Sequence, residues 1–367
     1  MGKYGIMPSP YRDIPGGRGM LSNTCCNLHH GLLYEKLPDK AAHCNVCLRR
    51  CIIKEGAAGF CNTRVNKDGD IYSTIYGAVS SMAVDPIEKK PVYHYLPGTL
   101  CFSMGSFGCN FRCDFCQNWS IAYADGTRIP EVSDNRLPPE KVVEMALAKG
   151  CRSISWTYNE PSIWLEYTID CARLARDKGL KTVYVTNGYM TPEALDLIGP
   201  HLDVFRADIK SFDDKLYQKL IKIPGVQGIL NNTLNAKLKW GMHVETVTNI
   251  IPGWNDSDEN LRLIAGWIHD NLGELTPWHV TRFFPHAKMT DVPPTPLETL
   301  QQALRIGADM GLKFVYTGNV TEGAHDTHCP SCKRTVISRA GYSPEVTGVT
   351  VDGKCTNCGT GLNIVKS

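Results

Sequence analysis

Cys109, Cys113 and Cys116 constrain this chain more than any other residues. They stand at +4 and +3 spacing in Gly108-Cys109-Asn110-Phe111-Arg112-Cys113-Asp114-Phe115-Cys116-Gln117-Asn118, with an aromatic side chain just before the third. Three thiolates in one short loop hold three irons of a [4Fe–4S] cube, which normally takes four cysteines. The fourth iron keeps an open position. An open position binds and transforms a substrate, whereas a closed site carries electrons or holds structure.

The 367 residues suit two or three domains. With 43% hydrophobic and 21% charged residues, the chain reads as soluble and globular. No apolar run approaches the ~18 residues of a membrane span. The start, Met-Gly-Lys-Tyr-Gly-Ile-Met-Pro, lacks the apolar core of a signal peptide. A net charge of +2 gives no electrostatic reason to expect nucleic acid or an anionic membrane. Sixteen cysteines in a large chain without a signal point to metal or cluster ligation in a reducing cytoplasm. Cys101, Cys151 and Cys171 stand in apolar surroundings and read as core packing. Cys25 and Cys26 lie near His29 and His30, in what reads as an ordinary exposed turn.

From residue 100 onward, short apolar runs alternate with helical patterns. Strands are expected over 100–104, 153–157, 182–186, 204–209, 244–251, 280–284 and 314–317. Helices are expected over 138–149, 163–178, 226–240, 258–271 and 298–310, with Gly150 and Gly179 closing the first two. Such alternation means βα units and a parallel sheet. Polar and glycine-rich residues cluster just after the strands, where βα barrels carry their reactive groups.

The cluster loop resembles that of the radical S-adenosylmethionine (SAM) enzymes, whose open iron chelates SAM through its amino and carboxylate groups. Thr157-Tyr158-Asn159-Glu160-Pro161 follows the second strand, where that superfamily has Gly-Gly-Glu-Pro. Asn159 stands for the second Gly, and Glu160 and Pro161 match. The implied role of Glu160 is to accept hydrogen bonds from the SAM ammonium, a charge-assisted and therefore strong contact. Thr186-Asn187-Gly188-Tyr189 is similar to the Thr-Asn-Gly of glycyl-radical-enzyme activases, and Asp208-Ile209-Lys210 to their Asp-Leu-Lys. Alternation puts Asp208 and Lys210 on one strand face, an acid and a base toward SAM's ribose and carboxylate. They are the catalytic candidates, with a local salt bridge as the alternative. Ile251-Pro252-Gly253-Trp254 looks like the activases' Val-Pro-Gly-Trp, whose backbone lines the adenine pocket, with Asp256 or Ser257 capping the next helix. Phe115, Asn159, Thr186 and Asn187 join the cofactor-binding set. His243, Arg282 and His286 are candidates for the substrate side.

The flanks narrow the resemblance. Cys44, Cys47, Cys51 and Cys61 precede Asp85-Pro86-Ile87-Glu88-Lys89-Lys90-Pro91-Val92-Tyr93-His94-Tyr95 and the cluster loop ending at Trp119. This run resembles the AmmeMemoRadiSam-system radical SAM enzymes, a branch similar to pyruvate formate-lyase activating enzymes, over residues 40–320 or so. The resemblance implies an α/β fold with a partial, TIM-like barrel. It also implies an electron donor such as ferredoxin or flavodoxin, and partners of Memo and Ammecr type. The substrate it implies is a glycyl residue of a partner protein or a small metabolite.

Four thiolates at 44, 47, 51 and 61 form a closed shell suited to structural Zn²⁺. They equally suit an auxiliary [4Fe–4S] cluster; zinc is the favoured expectation. Cys329-Pro-Ser-Cys332 and Cys355-Thr-Asn-Cys358 frame a stretch rich in Val and Thr, the pattern of a zinc ribbon. So small a fold buries too little core alone, and its metal contributes much of its stability. His325 and His328 read as linker. The expected division is a Cys-rich region over 1–95, the radical SAM barrel over 96–322 and the ribbon over 323–367. Two other functions compete. A ribbon-based nucleic-acid or protein-binding module lacks a basic aromatic stripe. An electron-transfer iron–sulfur protein needs a closed central cluster, and only three cysteines stand there.

Overall fold

The β-branched and aromatic runs between residues 100 and 318 form one parallel sheet. A computed structural model describes residues 28–124, 136–321 and 325–367, so Cys25 and Cys26 lie outside it. Eight strands follow one another across the sheet in chain order. They are β1 (Ser81–Pro86), β2 (Leu100–Gly105), β3 (Ser153–Trp156), β4 (Lys181–Thr186), β5 (Val204–Asp208), β6 (His243–Ile250), β7 (Trp278–Arg282) and β8 (Val315–Gly318). From β2 to β8 every neighbouring pair is parallel, for example Val183 with Val204 and Thr186 with Ala207. Strands covered on both faces read as near-continuous apolar runs, and Ile154, Val183, Tyr184, Val204 and Phe205 are fully buried.

The seven parallel strands match the expected runs within a residue or two. β1 was not expected. It pairs antiparallel with β2 at the sheet edge, and its outward-facing Met82 and Val84 are exposed. An edge strand covered on one face carries a weaker apolar signal than a buried one. β1 also draws residues 81–86 from the Cys-rich region into the main sheet.

Helices α1 (Pro139–Ala148), α2 (Leu165–Asp177), α3 (Pro192–Ile198), α4 (Gln227–Leu238), α5 (Asp258–Trp267) and α6 (Leu297–Asp309) fill the connections. Gly150 and Gly179, at φ +68° and +78°, end the first two in the left-handed conformation that glycine adopts without strain. The short α3 was not expected; Thr191 caps it by accepting from the Ala194 amide at 3.1 Å. Ser257 caps α5 through the Asn260 amide, as expected. Tightly packed Trp156, Trp164, Tyr167, Tyr184, Phe205 and Trp278 form the centre of the core.

Two small antiparallel sheets precede the main one. Arg64 anchors them: its Nη2 meets both Glu166 oxygens on α2 at 2.7 Å, with both side chains buried. At the other end, Thr327–His328, Thr335–Ala340 and Ser343–Val346 make a three-stranded sheet. Its apolar residues share a core with Tyr93, Phe314 and Tyr316 of the barrel. It seats at the amino ends of the strands, where Arg339 donates to the Tyr93 carbonyl at 3.0 Å. Among the described residues, no helix is long and apolar enough to cross a membrane.

Candidate active site

The cluster loop leaves β2 at Gly105 and crosses the carboxyl ends of the strands. Gly108 permits that path: its φ is +78°, and a Cβ there would stand 2.5 Å from the Cys61 carbonyl oxygen. Side chains from neighbouring strand ends fasten the loop. Asn159 accepts from the Ser106 amide at 3.1 Å and donates to the Gly108 carbonyl at 2.8 Å. Asn118 donates to the Tyr158 carbonyl at 2.6 Å. Arg112 turns back onto the Cys109 carbonyl at 2.6 Å and reaches the Phe60 carbonyl at 2.8 Å. Tyr158 itself takes φ +72°, a conformation rare for a large side chain. It occupies the first Gly position of the Gly-Gly-Glu-Pro pattern, and the backbone there shows why glycine suits it.

Cys109, Cys113 and Cys116 open onto a cavity of about 430 Å³. Phe115, Asn159, Glu160, Thr186, Asn187, Asp208 and Lys210 line it. Ile251 and Pro252 do not; Val247 and Asn249 on β6 and Thr281 on β7 take that wall. Arg206, Lys89 and Lys90 were missed. The alternation that paired Asp208 with Lys210 also marks Arg206. The lysines follow β1, the strand that the sequence pattern concealed.

Of the three substrate-side candidates, His243 is misplaced. It opens β6 at the opposite end of the barrel and meets the buried Glu245 at 3.0 Å. A histidine at the start of a strand points to the barrel base, and the strand boundary decides this. Arg282 donates to the Thr295 carbonyl at 2.8 Å, and neither it nor His286 lines the cavity.

Glu160 is buried and its oxygens are engaged. They accept from the Ser162 amide at 3.0 Å, the Asn187 amide at 2.8 Å and the Thr186 hydroxyl at 2.8 and 3.0 Å. Burial pushes its carboxyl up despite these bonds. Asp208 is flanked by Arg206, in direct contact, and by Lys210 Nζ at 2.8 Å. Burial would raise the Asp208 carboxyl, but the two cations outweigh it and hold it below its ordinary value. Burial would lower Lys210, but Asp208 and the Cys113 thiol keep it above. The salt bridge and the cavity position therefore coexist.

Burial pushes Cys109 well up, with Cys113 adding to the effect, and pushes Cys113 up to about 12. Cys116 is raised by burial too, against Lys210 and the Asn118 amide. Three thiols that resist ionisation separately face one cavity. A cationic iron–sulfur core would stabilise all three thiolates, so the donor set fits such a group. Spacing agrees. Among the described residues, only the ribbon cysteines gather with all ligand atoms within 4.8 Å. A cube spreads its thiolates wider than a single ion does, because each sulfur sits one bond beyond its own iron.

In the ribbon, Cys329 and Cys358 sulfurs stand 3.5 Å apart and those of Cys332 and Cys355 3.7 Å apart. This suits one metal ion. His325 and His328 stay outside the group.

Parallel strands with a three-thiol loop over their carboxyl ends form the arrangement that an iron–sulfur site of the SAM-binding kind requires. Residues 105–264 match the Radical SAM superfamily, and the chain belongs to it. It is 41% identical over 341 residues to the uncharacterized protein MJ0808 of Methanocaldococcus jannaschii, covering 92% of this chain and 100% of that one. It is 27% identical over 179 residues to a pyruvate formate-lyase-activating enzyme of Clostridium pasteurianum, covering 47% of this chain and 72% of that protein. A solved domain of a pyruvate-formate lyase-activating enzyme from Bacteroides vulgatus aligns with TM-score 0.39 and 20% identity, over 46% of this chain and 99% of that one.

Proposed function

We propose that this protein holds a [4Fe–4S] cluster on Cys109, Cys113 and Cys116 and binds SAM against it. It would then cleave SAM reductively to take a hydrogen atom from a partner protein or a small metabolite. When bound, the cluster supplies the electron that releases a 5′-deoxyadenosyl radical from SAM. The observation that carries this reading is the three-thiol loop opening onto a cavity lined by Glu160, Asp208 and Lys210.

The protein's own groups bind, orient and exclude water. Lys210 stays protonated and offers a cation to a carboxylate; Asp208 stays ionised and accepts from hydroxyls. Glu160 and Asn187 keep the adjoining loops in register, and a ligand's ammonium would share the Glu160 oxygens. Phe115, with Lys210 Nζ 5.8 Å from its ring centre, gives the cavity an apolar face.

An external one-electron donor such as ferredoxin or flavodoxin fits this chemistry. The branch-specific resemblance supports partners of Memo and Ammecr type. We read the chain as a Cys-rich region, a barrel and a ribbon that holds Zn²⁺; its sulfur separations support zinc, since Zn–S bonds of about 2.3 Å put tetrahedral sulfurs about 3.8 Å apart. All fourteen described cysteines are unbridged, which supports a reducing, cytoplasmic setting.

The test is anaerobic incubation of reconstituted protein with SAM and a reductant. We expect 5′-deoxyadenosine by mass spectrometry and a SAM-dependent change in the EPR spectrum of the reduced cluster. The Cys113→Ala variant should lose both. Undiminished cleavage by that variant would overturn the reading.

A further inference from the structure

We infer that Cys44, Cys47, Cys51 and Cys61 hold a second [4Fe–4S] cluster, where their number and closed shell first suggested zinc. The inference goes beyond the proposed SAM chemistry, and its comparison of sulfur spacing rests on that reading of the cluster loop.

The four residues come from separate turns. Cys44 ends the strand Ala42–Cys44, Cys47 and Cys51 lie in the turn after it, and Cys61 follows a second turn. All four line one small recess, with Val46, Ile53, Phe60 and Ile163 as apolar walls. Cys44, Cys47 and Cys61 are buried. Thr63 donates from its hydroxyl to the Cys61 sulfur at 3.1 Å. Arg49 and Arg64 also stand in the wall; Arg64 is paired with Glu166, and the charge of Arg49 offsets part of that of a thiolate-bound group. Convergence of four thiols on one recess marks a ligand site.

Spacing selects the ligand. The molecule contains both reference cases. The ribbon quartet, arranged for a single ion, brings its sulfurs within 4.8 Å of one another. The Cys109, Cys113 and Cys116 trio, to which the proposed function assigns a cube, does not. Among the described residues, the amino-terminal quartet also fails to gather three sulfurs within that distance. In this it groups with the cluster loop and not with the ribbon. A single tetrahedral ion needs its sulfurs closer together than this quartet holds them. A cube holds its thiolates wider apart than a single ion does, the side of that limit on which the quartet stands.

The position is also informative. A Gly108 Cβ would meet the Cys61 carbonyl, so the two ligand loops touch. Arg49 donates to the Asn110 carbonyl at 2.6 Å, and Arg112 to the Phe60 carbonyl at 2.8 Å. Each loop thus carries an arginine that satisfies a backbone oxygen of the other. With four protein thiolates the second cluster has no open iron, so it binds no SAM.

The decisive protein is the full-length Cys109→Ala/Cys113→Ala/Cys116→Ala variant, reconstituted anaerobically with iron and sulfide. Its quartet is intact. We expect about four iron and four sulfide per chain and a reduced-cluster EPR signal that SAM does not alter. Wild type should hold about eight iron, and only part of its signal should respond to SAM. A Cys47→Ala/Cys51→Ala variant should keep about four iron with the SAM-responsive signal. If it fails to fold, the first variant still decides. Iron-free triple variant containing a second zinc, or no metal at the quartet, would overturn the inference. Absence of a SAM response in wild type would instead count against the proposed function.

Discussion

Asn187 donates from Nδ2 to Oδ1 of Asn110 at 2.8 Å, joining the end of β4 to the residue after Cys109. Both side chains are buried, and Glu160 holds the Asn187 amide from the other side at 2.8 Å. The cluster loop is thus positioned by the polar ends of β3 and β4. Residues that flank SAM in the proposed function also hold the cluster ligands in place.

Asn187→Ala should leave the Asn110 amide without its buried donor. A loss of about 1–3 kcal/mol is expected. It should appear as a lower melting temperature together with reduced iron retention after desalting. Normal iron content in the variant would show that the contact does not position the loop.

Asp208→Asn removes the carboxylate between Arg206 and Lys210. Side-chain exposures of 10% for Arg206 and 12% for Lys210 leave both cations poorly solvated. Destabilisation of about 2–4 kcal/mol is expected, because breaking a buried pair strands a charge. Adding Lys210→Met should recover part of the stability while SAM binding, measured calorimetrically, stays weak. Recovery of binding in the double variant would contradict a ligand role for the pair.

Glu166→Ala strands the guanidinium of Arg64, whose side chain is 2% exposed. About 3–5 kcal/mol should be lost. The Leu32 amide, which donates to Glu166 at 2.6 Å, loses its acceptor as well. Limited proteolysis should then cut first within residues 28–75, and an unchanged digestion pattern would count against this anchor.

His94 gives the barrel base a pH dependence. Burial lowers its pKa to about 3, so the folded protein keeps it neutral between the Tyr316 hydroxyl at 2.7 Å and the Leu362 carbonyl at 3.2 Å. The unfolded chain binds a proton near its ordinary value of about 6.5. Stability is therefore full above that value and falls as pH drops from about 6.5 toward about 3, by up to about 1.4 kcal/mol per pH unit for this group. Buried His279 is also lowered and adds to the same window. Glu245 is held well below the carboxylate range: burial opposes this, but His243 and His279 outweigh it, so its contribution is lost only below about 4.5. Denaturant unfolding at pH 7.5 and 5.5 should show the slope, and His94→Asn should reduce it. Hydrogen exchange should locate the acid-induced opening in residues 335–346, which pack on this base.

Much of the catalytic face was legible in the chain. Cysteine spacing marks the loop because its three thiols lie within eight residues. The parallel strands were legible because both faces are buried, so apolar residues run almost unbroken. Asp208 and Lys210 were found through strand alternation, and the ribbon through its paired CxxC turns. These are local signals, carried by residues near one another in sequence.

Tertiary structure decided what depends on distant partners. β1 became an edge strand by pairing with β2, and it brought Lys89 and Lys90 to the cavity. Glu160 acquired three donors from β4 and from its own turn. The amino-terminal cysteines show the division most sharply. Their number and order are properties of the sequence, and both admit zinc or a cluster. The distance between their sulfurs depends on how separate turns pack against α2 and the cluster loop, and that distance is what distinguishes an ion from a cube.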